Sequence, residues 1–232
     1  MSPCYFIACD RRCSDSRKLL FENGSDKASL ALSDSKFFAV VGKELVGWSR
    51  DLQRELRWKN PGGSPVASRT HLTDVALGLE RALVGSLDHT VKLFRKAGDS
   101  LAFENQFDVG EPVHSLEYLN GTDIVVCGKL SGKVRACRLP NGTTVWEAPL
   151  HEDRVNSIVA NESGLVASAG NDGVVWLWRF SEDGPRKILS IGDPTSPPAI
   201  SVKFTPDGTK LGVLYRNETA VRLWDLTKLR LD

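Results

Sequence analysis

The sequence lacks nearly every bulk feature from which a function is usually read. Charge of one sign is missing: 30 lysines and arginines face 29 aspartates and glutamates over 232 residues, for a formal net charge of +1. That balance makes no long-range field to gather phosphates or an anionic bilayer, so the expected partners include no nucleic acid and no membrane. The densest basic stretch, Arg11, Arg12, Arg17 and Lys18, is interleaved with Asp10, Asp15 and Glu22 and reads as solvated surface. Long apolar runs are missing as well. Nothing approaches the roughly 18 residues a membrane helix needs, and Met1 to Asp10 has neither the basic start nor the apolar length of an export signal. The expected compartment is cytoplasmic.

Cysteine is scarce, at five residues. Cys4, Cys9 and Cys13 have neither metal-site spacing nor a nearby fourth ligand, so no metal is expected. Cys127 and Cys137 fall on strands that pair, and a reducing compartment keeps them as buried thiols. Five asparagines stand in glycosylation sequons, Asn23, Asn120, Asn141, Asn161 and Asn217, but without an export signal their Asn-Gly and Asn-Glu pairs read as tight turns. A Gly-rich phosphate loop, a catalytic aspartate loop and metal-binding motifs are all wanting, so no catalysis and no cofactor are expected. Glycine (20) and proline (11) are scattered, not pooled, which excludes collagen-like and low-complexity chains.

What the sequence does contain is a repeat. Five segments end in a similar short strand: ELVGW to Trp48, TVKLF to Phe94, KVRACR around Cys137, VVWLW to Trp178 and AVRLW to Trp224, spaced 46, 43, 41 and 46 residues apart. The last four follow a turn with a small or polar pair, Asp88-His89, Ser131-Gly132, Asp172-Gly173 and Glu218-Thr219, which marks a hairpin. Before each lies a second apolar strand (ALVGS, DIVVCG, LVASAG, KLGVLY), and before that a third (DVALGL, VHSLEYL, VNSIVA, ISVKF). A more polar strand follows, as in SLAFENQF and TTVWEAP. Four antiparallel strands per period, with no helical periodicity between them, cannot stack as helix pairs. They form propeller blades, each of which needs a neighbour on either side to bury its faces. The fold class is therefore all-β, with about five blades.

These residues resemble the WD-repeat family. Val221-Arg222-Leu223-Trp224-Asp225 matches its closing strand with the Trp-Asp pair; HEDRVNSI, ASAGNDG and VVWLW stand in the family's order in the fourth blade; Pro206-Asp207-Gly208 adds a familiar turn in the fifth. The resemblance covers Ala28 to Asp232 and implies a buried network of His151, Ser168, Asp172 and Trp178. A packed interior with a partner for each polar group makes this serine, histidine and aspartate structural, not catalytic. In the second blade His71 and Asp88 keep the family's places, while Val84 and Phe94 replace hydroxyl and indole; in the third, Cys127 and Cys137 do so and no histidine opens the blade. The innermost strands carry only Glu117 and Lys203 as charges, too few for an enzyme site in the channel.

The resemblance implies a non-catalytic protein-protein interaction scaffold. Other proteins or peptides are expected on the loop face that holds Asn60 to Pro65 and Gly192 to Pro198, with Leu87, Leu130, Arg154, Asn171, Trp176 and Asn217 as candidate contacts. Trp176 admits two readings, a filler between blades or an aromatic anchor. The alternative function is a docking or sensory portion of a larger multidomain signalling protein, such as a kinase. Residues 1–27 read as a half-blade, the third and fourth strands of a preceding blade, and residues 28–232 as five WD-type blades. The propeller is thus expected to be incomplete: completed by residues upstream, closed by another chain, or squeezed shut around five blades.

Overall fold

A computed structural model describes residues 4–9, 16–21, 28–32, 36–41, 43–49, 55–59, 71–78, 80–97, 100–192 and 195–228. Apart from a 3-10 turn at Leu226–Lys228, the regular elements among them are strands, and neighbours in each sheet run antiparallel. Strands β1 (Cys4–Cys9) and β2 (Ser16–Phe21) form a two-stranded sheet. Blade one holds β3 (Ala28–Leu32), β4 (Lys36–Val41), β5 (Glu44–Ser49) and β6 (Glu55–Lys59). Blade two holds β7 (Leu72–Leu77), β8 (Arg81–Ser86), β9 (Thr90–Ala97) and β10 (Ser100–Asp108). Blade three holds β11 (Val113–Tyr118), β12 (Ile124–Lys129), β13 (Lys133–Arg138) and β14 (Thr143–Pro149). Blade four holds β15 (Val155–Ala160), β16 (Leu165–Gly170), β17 (Val175–Arg179) and β18 (Arg186–Ile191). Blade five has β19 (Ala199–Phe204), β20 (Lys210–Tyr215) and β21 (Arg222–Asp225) among the described residues. Repeated four-stranded antiparallel sheets with almost no helix are what the repeat implied. The loop Asn60 to Pro65, Cys13 and Asn23 lie outside the described residues, as do positions 193 and 194.

Each blade's strands lie in chain order, and the first strands of successive blades pack against one another. Burial follows from that placement. The second strands of blades three and four, IVVCGK and LVASAG, are buried at every position because both their faces meet a neighbouring blade. Outer strands β14 and β18 bury one residue each, Trp146 and Ile191, and carry the polar sequence. The apolar core is accordingly divided into clusters between sheets: Val84 and Phe94 with Phe38 and Val40, Val125 and Cys137 with Leu83 and Val91, Trp178 with Val126 and Trp146, and Val213 and Tyr215 with Ala167 and Leu177. Neither face of a blade stays dry without its neighbour.

The close approach has a backbone requirement. A Cβ on Gly85 would lie 2.7 Å from Val113 Cγ1, and one on Gly128 would lie 2.6 Å from Val155 Cγ1, so in both blades glycine makes room for the first residue of the next blade. Polar stitching accompanies that contact. Each first strand of blades two to five bulges between its first and third residues. The second residue then reaches forward: Thr73 Oγ1 donates to Val113 O at 2.8 Å and Asn156 Nδ2 to Ala199 O at 3.0 Å. The third residue can accept from the next blade, as Asp74 Oδ2 does from Leu116 N at 2.8 Å and Ser157 Oγ from Val202 N at 3.4 Å. Asp74 therefore belongs with Glu117 and Lys203 among the charges of the innermost strands, one more than the sequence reading counted. Its carboxylate is occupied by backbone N–H groups, including that of Val75 at 3.0 Å.

Candidate functional site

The turn between the second and third strands of a blade touches the segment that enters the next blade's first strand, or its own. His151 N donates to Gly132 O at 3.1 Å, Val109 N to His89 O at 2.8 Å, and Asn171 N to Arg154 O at 2.8 Å. Those contacts gather the turns and the blade-to-blade connections onto one face. In blades two to four the turns place a residue of positive φ at one position, Gly132 (φ 83°) in blade three and Gly173 (φ 81°) in blade four, whereas blade five has it one residue earlier, at Asn217. Blade two puts His89 at the shared position with φ 72°, a conformation that costs an L-residue with a Cβ more than it costs glycine.

Blade four holds the most complete polar network on this face. His151 Nδ1 lies 3.1 and 3.2 Å from the two oxygens of Asp172, and His151 Nε2 lies 2.9 Å from Ser168 Oγ. Trp178 Nε1 donates to the same hydroxyl oxygen at 3.3 Å. Only one proton arrangement satisfies all four groups: Trp178 N–H to Ser168 O, Ser168 O–H to His151 Nε2, and His151 Nδ1–H to the carboxylate. Asp172 accepts further N–H groups from Glu152 (3.0 Å) and Val174 (3.1 Å). Burial would raise its carboxyl, yet the hydrogen bond from His151 and these two backbone donors hold it below the usual range.

The connectivity of aspartate, imidazole and hydroxyl is that of a nucleophilic triad, but access is missing. Ser168 and Trp178 are 0% exposed, and Trp178 packs edge-on to Trp146 with ring centroids 5.8 Å apart. A hydroxyl sealed beneath an indole cannot meet a substrate.

Blades two and three fill the same slots differently, and one sequence assignment needs correction. His71 does not take the place of His151. Its carbonyl accepts Leu87 N–H at 2.9 Å, as Arg154's accepts that of Asn171, so His71 is the counterpart of Arg154. Asp88 does keep the place of Asp172, but its partner is Lys92, whose Nζ lies 2.9 Å from Asp88 Oδ2 although the side chain is 2% exposed. Despite burial, Thr90 and Lys92 hold the Asp88 carboxyl below its usual value. In blade three Val109 takes the place that His151 has in blade four, as the lack of an opening histidine implied, and Cys127 and Cys137 are buried free thiols. They sit diagonally, Cys127 opposite Arg135 and Cys137 opposite Val125. Burial pushes both thiols up, Cys137 to about 11.

Blade three carries a cluster that the sequence reading missed. Glu147 on β14 receives Lys129 Nζ at 2.5 Å, Arg135 Nε at 2.6 Å and Lys133 Nζ at 3.3 Å. Desolvation opposes ionisation there, but the bonds from Lys129 and Arg135 take the carboxyl down to about 2. Its signal was present in the strand pairing, since Arg135 and Glu147 are cross-strand partners. Glu117, half-buried on β11, is the opposite case: desolvation and the nearby Asp74 raise it to about 8 against Lys203.

The candidate contact residues divide. Leu87, Leu130 and Asn171 occupy equivalent places, the first turn residue after β8, β12 and β16, and Leu130 is 48% exposed. Arg154 adjoins Asn171 through the bond already given, and its Nε donates to Asn156 Oδ1 at 2.8 Å. Asn217 is exposed in the fifth blade's turn with φ 65°. Trp176 stands apart. It is half-buried on β17, packed on the cluster around Trp178, with Lys187 Nζ 4.2 Å above its ring.

No protein-family model matches the sequence. Over 110 residues, 47% of this chain, it is 29% identical to telomerase protein component 1 of Rattus norvegicus. The matched stretch amounts to 4% of that protein's length. Among the described residues, no helix is long and apolar enough to cross a membrane, and no group of three or more His, Cys, Asp or Glu side chains is placed to hold a metal ion.

Proposed function

We propose that this chain is a WD-repeat-type scaffold that binds other proteins through its turn face and catalyses nothing. One observation carries the reading: the serine, histidine and aspartate that could have formed an active centre are locked beneath Trp178, while the turns of the two adjoining blades present Leu130 and Asn217 to solvent. A rigid stack of blades with exposed turns is the arrangement on which binding residues concentrate. The relative's name makes it one component of a larger assembly, which suits a chain whose work is contact. Leu87, Leu130, Arg154, Asn171 and Asn217 are the proposed contacts, with Trp176 steadying the blade beside them. The cytoplasm is the proposed compartment, in keeping with Cys127 and Cys137 as free thiols.

The test is affinity capture on the full chain with alanine at Leu130 and Asn171, against a control with alanine at Asp123 and Asp207 on the opposite loops. Loss of the captured proteins with the first pair alone, at unchanged melting temperature, is the expected result. Equal loss with both pairs overturns the proposal.

A further inference from the structure

The turn face changes character from blade to blade at one structural position. The first residue after the second strand is Leu87, Leu130, Asn171 and Arg216 in blades two to five. Equivalence is fixed by hydrogen bonding: Leu87 N, Asn171 N and Arg216 N donate to the carbonyls of His71, Arg154 and Pro198, each the residue just before its blade's first strand. One arc of the face is thus apolar and the next is basic, with Arg154 and Arg216 meeting at Asn171. The backbone N–H of Asn171 bonds Arg154 O, and its side-chain oxygen accepts Arg216 Nη2 at 2.9 Å.

These two guanidiniums differ from the other arginines that bond side chains. Arg81, Arg95, Arg135, Arg138 and Arg222 each lie within 4.0 Å of a carboxylate. Arg154 and Arg216 are held by neutral amide oxygens, those of Asn156 and Asn171, and among the described residues neither makes an ion pair. The near carboxylate, Asp153, uses Oδ1 on Arg154 N (2.6 Å) and Oδ2 on Asn171 Nδ2 (2.5 Å). Asp172 is taken up by His151 and Glu218 by Arg222, while Glu152 points to solvent. Among the described residues each arginine is therefore oriented by one bond and keeps the rest of its planar donor fork open, the form that binds a carboxylate bidentately.

We infer that the partner segment is an acidic and apolar peptide, with apolar side chains over Leu87 and Leu130 and carboxylates taken by Arg154 and Arg216. This rests on the turn face being the binding face. Apolar contact supplies the affinity, and the two forks fix direction, since a peptide laid the other way round would set its carboxylates over leucines.

A random-peptide display library panned on the immobilised full chain tests it. Selected peptides should combine Leu, Ile or Phe with Asp or Glu. A synthetic peptide of the selected sequence should lose about tenfold in affinity when its acids become Asn and Gln, a comparison that needs no variant protein. R154Q with R216Q should cause a similar loss at unchanged melting temperature, while binding of the amide peptide stays as it was. Peptides without an acidic excess, still lost in L130A, overturn the inference and leave the binding face standing. Peptides indifferent to all these changes, or none selected, overturn both. An oligo-uridine probe that binds the wild type and not R154Q/R216Q, with no acidic peptides selected, assigns the arginines to phosphate and overturns the inference.

Discussion

Blades two and four put an aspartate at the same turn position and satisfy it in unlike ways. Asp172 receives an imidazole that passes its order down to a serine and a tryptophan, whereas Asp88 receives the ammonium of Lys92, and nothing polar lies beneath it at Val84 and Phe94. Blade three drops the aspartate for Ser131 and places its buried charge one strand outward, at Glu147. What the fold demands is that each buried acceptor in the turn find a donor. It does not demand a particular donor. The full network is one solution, which couples strands two and three through a hydroxyl; an apolar pair at those slots is another.

Replacing Trp178 by alanine is the severest way to break the contrast. It should cost about 3–5 kcal/mol, while Cys137→Ala at the equivalent slot should cost about 1 kcal/mol, both read from urea denaturation. Equal costs would mean that the networked blade is no more dependent on its closing residue than the apolar one. A finer probe is the hydroxyl. Ser168→Ala strands the imidazole Nε2 and the indole N–H and should destabilise by about 1–3 kcal/mol, and Cys127→Ser should do no better, because Val109 and Cys137 offer its hydroxyl no polar side chain.

Acid separates the blades by their carboxylates. Glu147, at about 2 when folded against an ordinary 4.5, and the lowered Asp88 and Asp172, ordinarily 3.8, add stability that is present above their unfolded values and lost as pH falls toward 2. Glu117 has the reverse sign. With a folded value of about 8, it makes the folded state the better proton binder between 4.5 and 8, so its contribution is lost as pH rises through that window. Melting temperatures across pH should show Glu147→Gln removing part of the acid limb and Glu117→Gln flattening the neutral one. An unchanged profile in either variant contradicts the assignment. The smallest effect lies in the turn itself: His89→Gly relieves positive φ and should stabilise by about 0.5–1 kcal/mol, net of the chain entropy glycine gives up.

Strand order and blade period were legible because apolar runs recur at nearly constant spacing and each closes on a bulky or β-branched strand. The network of blade four was legible only through the WD-repeat resemblance, which carries a histidine, a serine, an aspartate and a tryptophan over by position; their hydrogen-bonding capacities are complementary. Two things were not. His71 stands directly before its blade's first strand, where blade four has Arg154, and residue type alone does not tell that place from the one His151 holds three residues earlier. The cluster around Glu147 depends on which strand faces which, and nothing in residue type marks Lys129 as a lysine whose side chain is only 1% exposed. Trp176 was the odd residue in its column, and its half-buried place against the Trp178 cluster fits the filler reading.

The stitching between first strands sets a clock. Thr73 waits for a carbonyl 40 residues further along the chain, and Asn156 for one 43 residues on. On a ribosome adding about 5–20 residues per second, that gap lasts roughly 2–8 s. During each interval the newest blade is synthesised yet unfinished, with one apolar face and its forward donors open to water. The chain thus emerges as a succession of short vulnerable periods, each ended by the blade that follows.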